Sequence, residues 1–282
     1  MFVSEVSSNH ARDLERCLHF IRRSAEIGCD AVKFQLFRID DLFAPEVLAS
    51  SEKHRRRRAW ELPTEFLPEL ATCCSESGVK FGCTPFSIGA VGDLEPYADF
   101  LKVASYELLW DDLLAACART GKPVVLSTGM ATMVEVEHAV ETLRSSGCEE
   151  LTLLHCVSGY PTPIQDCNLS AIATLRSAFE CSVGWSDHSR SPVAVTRAVL
   201  RWKAELVEFH LDLEGSGAEY STGHCWLPHE IEPVIASLRQ GEQADGSGDK
   251  VPAPVEMPDR DWRADPSDGL RPMKSLRATL DE

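Results

Sequence analysis

Two short apolar runs each end in an imidazole beside carboxylates. VGWSDHS at 183–189 carries His188 next to Asp187, and VEFHLDL at 207–213 carries His210 between Glu208 and Asp212. Side chains alternate across a strand. Ser186 and His188 therefore share a face that Asp187 avoids, and Glu208, His210 and Asp212 share another. Two imidazoles converging from neighbouring strands would hold a divalent metal and leave positions open for substrate and water. Four further runs end in polar groups of complementary type. Glu5 closes FVSEV (2–6), Lys33 and Gln35 share a face of AVKFQLF (31–37), Thr84 lies in VKFGCTP (79–85), and Lys102 precedes Ser105 in DFLKVAS (99–105). Lys33, Thr84, Lys102, Ser105 and Ser186 make a cationic, hydroxyl-rich set suited to phosphate or carboxylate, with Glu5 a candidate base or water-positioner. Singly, each has a plain structural reading: a histidine on an apolar strand is commonly a satisfied core residue, and a strand lysine commonly an ion pair. Jointly, two lysines, two carboxylates and two histidines buried together are costly unless they serve a site. An anion clamp beside an open metal site suits carbon–carbon bond formation from a phosphorylated three-carbon acid.

Such a site needs a scaffold that brings strand ends together. Besides those six, the runs PVVLSTG (123–129) and LTLLHCVS (151–158) read as strands, rich in β-branched or aromatic residues and bounded by Gly, Pro or Ser. Amphipathic helical patterns lie between them, as in LERCLHFIRRSAEIG (14–28) and MVEVEHAVETLRSSG (133–147), the latter with Thr132 as N-cap. Eight near-continuously apolar strands alternating with helices predict an α/β fold, a closed (β/α)8 TIM barrel with its chemistry at the C-terminal strand ends. The rival is a doubly wound open sheet; its dinucleotide-binding version lacks the GxGxxG after the first strand. The barrel is expected over residues 1–240. Residues 241–282, rich in Gly, Pro and acids and without apolar periodicity, read as a linker and an irregular C-terminal tail.

A formal net charge of −16 argues against nucleic-acid or acidic-membrane partners, so an anionic substrate needs a local cationic pocket. No apolar run has bilayer-spanning length, and MFVSEVSSNH lacks the basic and apolar regions of a signal peptide. Eleven scattered cysteines with no CxxC spacing read as reduced thiols in a cytoplasmic protein.

Over residues 2–235 the chain resembles the sialic acid synthase family, phosphoenolpyruvate-dependent synthases of N-acetylneuraminate and related nonulosonates. The resemblance rests on SEVSSNH (4–10), DAVKFQLF (30–37), CTPFS (83–87), LKVASYE (101–107), GKPVVLSTGMAT (121–132), LLHCVSGYPTP (153–163), NLSAIATL (168–175), VGWSDHS and VEFHLDL. It implies condensation of phosphoenolpyruvate with an open-chain aldose, an amino sugar of the N-acetylmannosamine type or its phosphate, to a 2-keto-3-deoxy sugar acid with loss of phosphate. By the same resemblance, His188 and His210 would hold Mn²⁺ or Mg²⁺, and Glu5 would position or deprotonate water. Lys33, Thr84, Lys102, Ser105, Ser158 and Ser186 would bind phosphoenolpyruvate, and Gln35, Glu107, Tyr160 and Glu219 would face the acceptor sugar. A homodimer is implied too.

This sequence departs from the family at several points. Ser7 stands where the opening motif has Gly, Tyr106 interrupts the usual Ser-Gly-Glu, and GAEYSTGHCWLP (217–228) replaces a Gly-Pro-Asp segment, bringing an extra His224. The sequence also ends about where the family's small antifreeze-like domain, which supplies an arginine to the partner subunit's acceptor site, would begin. Arg263, Arg271 or Arg277 could substitute for that arginine. The basic run KHRRRRAWELP (53–63) is either a solvated surface loop or, through Arg55–Arg58, an anion receptor at the barrel mouth. Open alternatives are a synthase with another acceptor, a Schiff-base aldolase using Lys33 or Lys102, and a non-catalytic barrel acting as a binding protein.

Overall fold

All eight apolar runs form strands in the computed structural model, which describes residues 1–279. They are β1 (Phe2–Glu5), β2 (Ala31–Leu36), β3 (Lys80–Pro85), β4 (Phe100–Val103), β5 (Val124–Ser127), β6 (Leu151–Cys156), β7 (Ser182–Asp187) and β8 (Val207–His210). Neighbours in sequence pair in parallel, and β8 pairs with β1 in the register Glu5↔His210. That last pairing closes the sheet, so the fold is the (β/α)8 barrel and not the open doubly wound sheet.

One principal helix follows each strand: α1 (Leu14–Glu26), α2 (Leu67–Glu76), α3 (Ile88–Leu94), α4 (Asp111–Arg119), α5 (Met133–Ser145), α6 (Ala171–Phe179), α7 (Pro192–Leu200) and α8 (Pro228–Asp245). Their limits follow local chemistry. The Asp13 carboxylate accepts the Arg16 N–H at the start of α1, and Gly28 takes φ 88° just beyond its end. Thr132 and Glu135 form a reciprocal capping box on α5. The apolar stripes of these helices bury against outward-facing strand residues such as Val32, Phe34, Phe81, Leu101 and Phe209. No helix among the described residues is long and apolar enough to cross a membrane.

Inside the barrel, strand alternation produces two layers of opposite character. Val3, Ala31, Phe100, Val125, Leu154 and Leu206 form an apolar plug. A Cβ at Gly82 would stand 2.1 Å from the Phe100 ring, so the absence of a side chain there is what lets the ring fill the centre. Two residues further along the strands, the inward positions are Glu5, Lys33, Lys102, Ser127, Cys156, Ser186 and Glu208, all buried. The plug thus walls off one end and leaves the polar layer as the floor of a cavity opening at the C-terminal strand ends.

The β2–α2 connection is helical where the sequence reading has a basic loop. Short helices span Ile39–Leu42, Pro45–Ser50 and Glu52–Arg55, followed by a 3₁₀ turn at Arg56–Trp60. Glu52 pairs with Arg55 and Arg56 at i,i+3 and i,i+4, which favours helix over an extended loop.

The chain divides into two compact units, Met1–Leu238 and the residues from Arg239 onward. The second contains a 3₁₀ segment at Pro254–Trp262 and one helical turn at Lys274–Arg277. Arg277 makes a two-pronged pair with Asp268, at 2.6 and 2.9 Å, and Arg263 Nε donates to the Arg260 carbonyl, so both cations are engaged locally.

Candidate active site

Charge neutrality governs the cavity floor. Glu208 on β8 lies between two lysines, 3.7 Å from Lys33 Nζ and 3.5 Å from Lys102 Nζ, and accepts the Ser186 hydroxyl at 2.9 Å. Lys33 also pairs with Glu5 and donates to Thr84 Oγ1 at 2.9 Å. Two carboxylates therefore balance two ammonium groups where water is scarce, the condition for burying four charges. Burial alone would raise Glu208, but Lys102 and Lys33 hold it down to about 2. Burial would lower both lysines. Glu208 and Glu5 nevertheless lift Lys33 above its usual value, whereas Lys102, less well compensated and repelled by Lys33, falls below it. Glu5 is fixed from three sides, since its Oε1 accepts Ser7 N–H at 2.8 Å and Gln35 Nε2 at 3.0 Å while Lys33 sits on the other oxygen.

Beside this floor, hydroxyls gather around a glycine. Ser105 Oγ accepts the Gly129 N–H at 3.1 Å, and a Cβ on Gly129 would stand 2.4 Å from Ser158 Oγ and 2.7 Å from Ser105 Oγ. The Ser127 and Ser158 hydroxyls are buried without partners among the described residues. Unspent donors next to Lys102 are what an anion's oxygens would satisfy.

The histidines cluster at the opposite rim. The ring centroids of His188 and His210 are 5.3 Å apart, close enough to share one ion. The Val157 carbonyl, 2.8 Å from Nδ1, fixes the His188 ring from behind. Tyr160 covers that ring at 4.2 Å and reaches His210 at 6.0 Å. Glu219 Oε2 contacts His210 Nδ1 at 3.1 Å, and its Oε1 accepts the Ser7 hydroxyl at 2.6 Å. The latter contact accounts for the Gly-to-Ser departure. Ser7 holds the left-handed φ of 48° that glycine would adopt freely, and its hydroxyl bonds Glu219 in return. Hydrogen bonds from His210 and His224 override the effect of burial and hold Glu219 well below the usual carboxylate range.

A cavity of about 390 Å³ joins the floor to the histidine rim and is lined by Glu5, Lys33, Gln35, Thr84, Lys102, Ser105, Tyr160, Ser186, His188, His210 and Glu219. Ser158 lies behind Gly129, outside this lining. Glu107 also lies outside it, and burial raises its carboxyl to about 7. Tyr106 stands exposed at the mouth. Of the four arginines in the basic run only Arg57 reaches the cavity, beside Trp60. Arg55 and Arg56 pair with Glu52 and Arg58 with Asp40, whereas the Arg57 guanidinium lies over Phe43 and Trp60 at 5.6 and 5.3 Å with its buried Nε unpaired. Asp187 and Asp212 are structural. Asp187 accepts the Trp185 and Trp226 indole N–H groups, and Asp212 pairs with Arg16 at 3.0 Å.

Sequence reasoning placed Glu208 on the right face without giving it a role, and its position between the lysines emerges only from β1, β2, β4, β7 and β8 meeting inside the barrel. His224, Ser127 and Cys156 were also missed as lining groups. His224 follows a one-turn 3₁₀ segment, where no strand period announces it.

The NeuB family model matches residues 20–250. The N,N'-diacetyllegionaminic acid synthase of Legionella pneumophila is 32% identical over 92% of this chain and 76% of that protein. The crystal structure of the N-acetylneuraminic acid synthetase of Leptospira borgpetersenii, in complex with citrate, superposes with a TM-score of 0.80 at 28% identity, covering 95% of this chain and 92% of that one. The spore coat polysaccharide biosynthesis protein spsE of Bacillus subtilis gives 0.74 at 30% identity, over 93% and 77% of the two chains. With the closed barrel and its charged floor, these likenesses establish that the chain belongs to the NeuB family and is a transferase that forms carbon–carbon bonds with phosphoenolpyruvate.

Proposed function

We propose that this protein joins phosphoenolpyruvate to the aldehyde of an N-acetylmannosamine-like amino sugar, or its phosphate, giving a nonulosonate-type 2-keto-3-deoxy acid and inorganic phosphate. The observation that carries this reading is the paired-charge floor of Lys33, Lys102, Glu208 and Glu5, flanked on one side by unspent hydroxyls and on the other by histidines.

Lys33, Lys102, Thr84, Ser105 and Ser186 bind the anionic groups of phosphoenolpyruvate, with Ser158 supporting the hydroxyl cluster from behind Gly129. Glu208 neutralises the lysines before the substrate arrives, and the Ser186 hydroxyl that it accepts meanwhile is released to the anion. A divalent ion at the His188–His210 rim would polarise the acceptor aldehyde. The enol carbon then bonds to the aldehyde carbon, water adds at the cationic carbon left behind, and the C–O bond to phosphate breaks. Glu5, held by three donors, orients that water and takes up its proton. Gln35, Tyr160 and Glu219 border the acceptor. Arg57, the cation at the mouth without an anionic partner among the described residues, favours a phosphorylated acceptor over a neutral one.

The test is phosphate release from phosphoenolpyruvate with Mn²⁺ over N-acetylmannosamine, its 6-phosphate, diamino sugars and plain aldoses, with products identified by mass spectrometry. An aldose-dependent sugar acid supports the reading. Phosphate release with none of these acceptors overturns it.

A further inference from the structure

The turn that carries Arg57 is tied down by the segment that follows β1. Arg12 Nη1 donates to the Arg58 carbonyl at 2.9 Å. The Arg12 N–H in turn donates to His10 Nδ1, also at 2.9 Å. His10 is buried, and burial lowers its pKa to about 4, so the ring is neutral at pH 7. With Nδ1 accepting, the ring proton sits on Nε2 and serves the Trp60 backbone. One short stretch of chain thus holds the turn at both Arg58 and Trp60. The Arg58 guanidinium is fixed separately, by Asp40 at 2.9 and 3.0 Å.

That stretch is itself strained. Ala11 and Arg12 take φ of 54° and 57°, the left-handed region that residues with a Cβ seldom adopt. Two such residues in succession persist only where their surroundings fix them. Arg12 is exposed, so its side chain gains no burial there; what it gains is the Arg58 carbonyl. Arg57 is the residue that uses the fixed backbone. Its guanidinium lies over Phe43 and Trp60 at 5.6 and 5.3 Å, and it lines the cavity with Trp60. Arg55 and Arg56 are spent on Glu52, and Arg58 on Asp40. A slip of the turn by one residue would therefore present the cavity with a cation already paired.

We infer that Arg12 is a positioning residue for acceptor choice, which through the Arg58 carbonyl locks the Arg56–Trp60 turn in the register that aims Arg57 into the cavity. Arg12 is not among the residues that line this cavity, so it acts only through the turn. The inference rests on reading Arg57 as the receptor of an anionic acceptor, and extends that reading to a residue outside the site.

Arg12→Gly separates side chain from backbone, because glycine adopts a φ of 57° without strain while the anchor is lost. Two readouts are taken on the full-length protein. The first is trypsin digestion under native conditions, with cuts at 55–58 located by mass spectrometry. Loss of a charge-assisted hydrogen bond should speed those cuts about tenfold while the thermal unfolding midpoint stays level. Arg12→Lys, which can still donate to the carbonyl, should recover most of the protection. The second readout is phosphate release with N-acetylmannosamine 6-phosphate and, in parallel, N-acetylmannosamine. Arg12→Gly should raise the KM of the phosphorylated acceptor about five- to tenfold, with kcat and the KM of phosphoenolpyruvate held within about twofold. Arg12→Lys should restore that KM. Unchanged cutting overturns the inference, and so does faster cutting with an unmoved acceptor KM in a protein where Arg57→Gln raises it. If Arg57→Gln moves no KM, or neither sugar is turned over, faster cutting keeps Arg12 as the anchor of the turn and refutes the acceptor reading instead.

Discussion

Replacing Glu208 by Gln removes one charge from a buried group of four and almost no volume. The structure sets the scale. With Lys33 and Lys102 at 3.7 and 3.5 Å, each contact amounts to about 4 to 5 kcal/mol of gross attraction at an effective dielectric constant near 20. Much of that is offset by desolvation already incurred, and removing one partner of a buried pair typically costs about 3 to 5 kcal/mol. For a chain of this size the loss corresponds to a fall in Tm on the order of 10 °C. The cause is the excess positive charge, so an anion should repair it. Inorganic phosphate at about 100 times its Kd would restore roughly 2.7 kcal/mol, and the variant should gain more from phosphate than the wild type does. The assay is thermal and urea unfolding at pH 7 with and without phosphate, with chloride matching ionic strength. A variant within about 0.5 kcal/mol of wild type, or one that phosphate stabilises no more than chloride, would refute the view that Glu208 neutralises the two lysines.

Arg57→Gln should raise the KM of an anionic acceptor about tenfold or more while the KM of phosphoenolpyruvate holds. Arg56→Gln, whose guanidinium already pairs with Glu52, should change neither. Equal effects from the two would remove Arg57 from the site. Glu107 has its folded pKa raised by burial from 4.5 to about 7, so its protonated form favours folding, and that stability is present in full below about pH 4.5 and lost as pH rises through 7. Glu107→Gln should therefore match wild type in unfolding free energy at pH 4 and exceed it at pH 8 by about 1 to 3 kcal/mol. An unchanged difference across that range would mean that the carboxyl is not desolvated.

Periodicity exposed most of the fold to sequence reading. Each strand is a run of β-branched and aromatic residues bounded by Gly, Pro or Ser, and a parallel strand buried on both faces cannot be written otherwise. The same alternation put Lys33 with Gln35, and Ser186 with His188, on shared faces before any partner was known. Periodicity does not extend into connections. The segment after β2 was readable as basic but not as helical, because its order depends on Glu52 and Asp40 meeting particular arginines. The β8–α8 connection was readable as polar, but its Glu219 and His224 reach the rim only through contacts with Ser7 and His210, from opposite ends of the chain.

By itself, then, the sequence determined eight strands, the faces of their side chains, and a stock of cations, hydroxyls and imidazoles at their ends. Those properties depend on neighbours in the chain. Only the closed barrel decided that Glu208 stands between Lys33 and Lys102, that Ser158 backs Gly129 and leaves the cavity wall to Ser105, and that His210 gathers Glu219, His224 and Cys225 beside it. The first is set across the barrel, where Lys33 and Glu208, remote in the chain, stand 3.7 Å from each other, the others by how connections fold over the strand ends, and burial then fixes which charges must be paired.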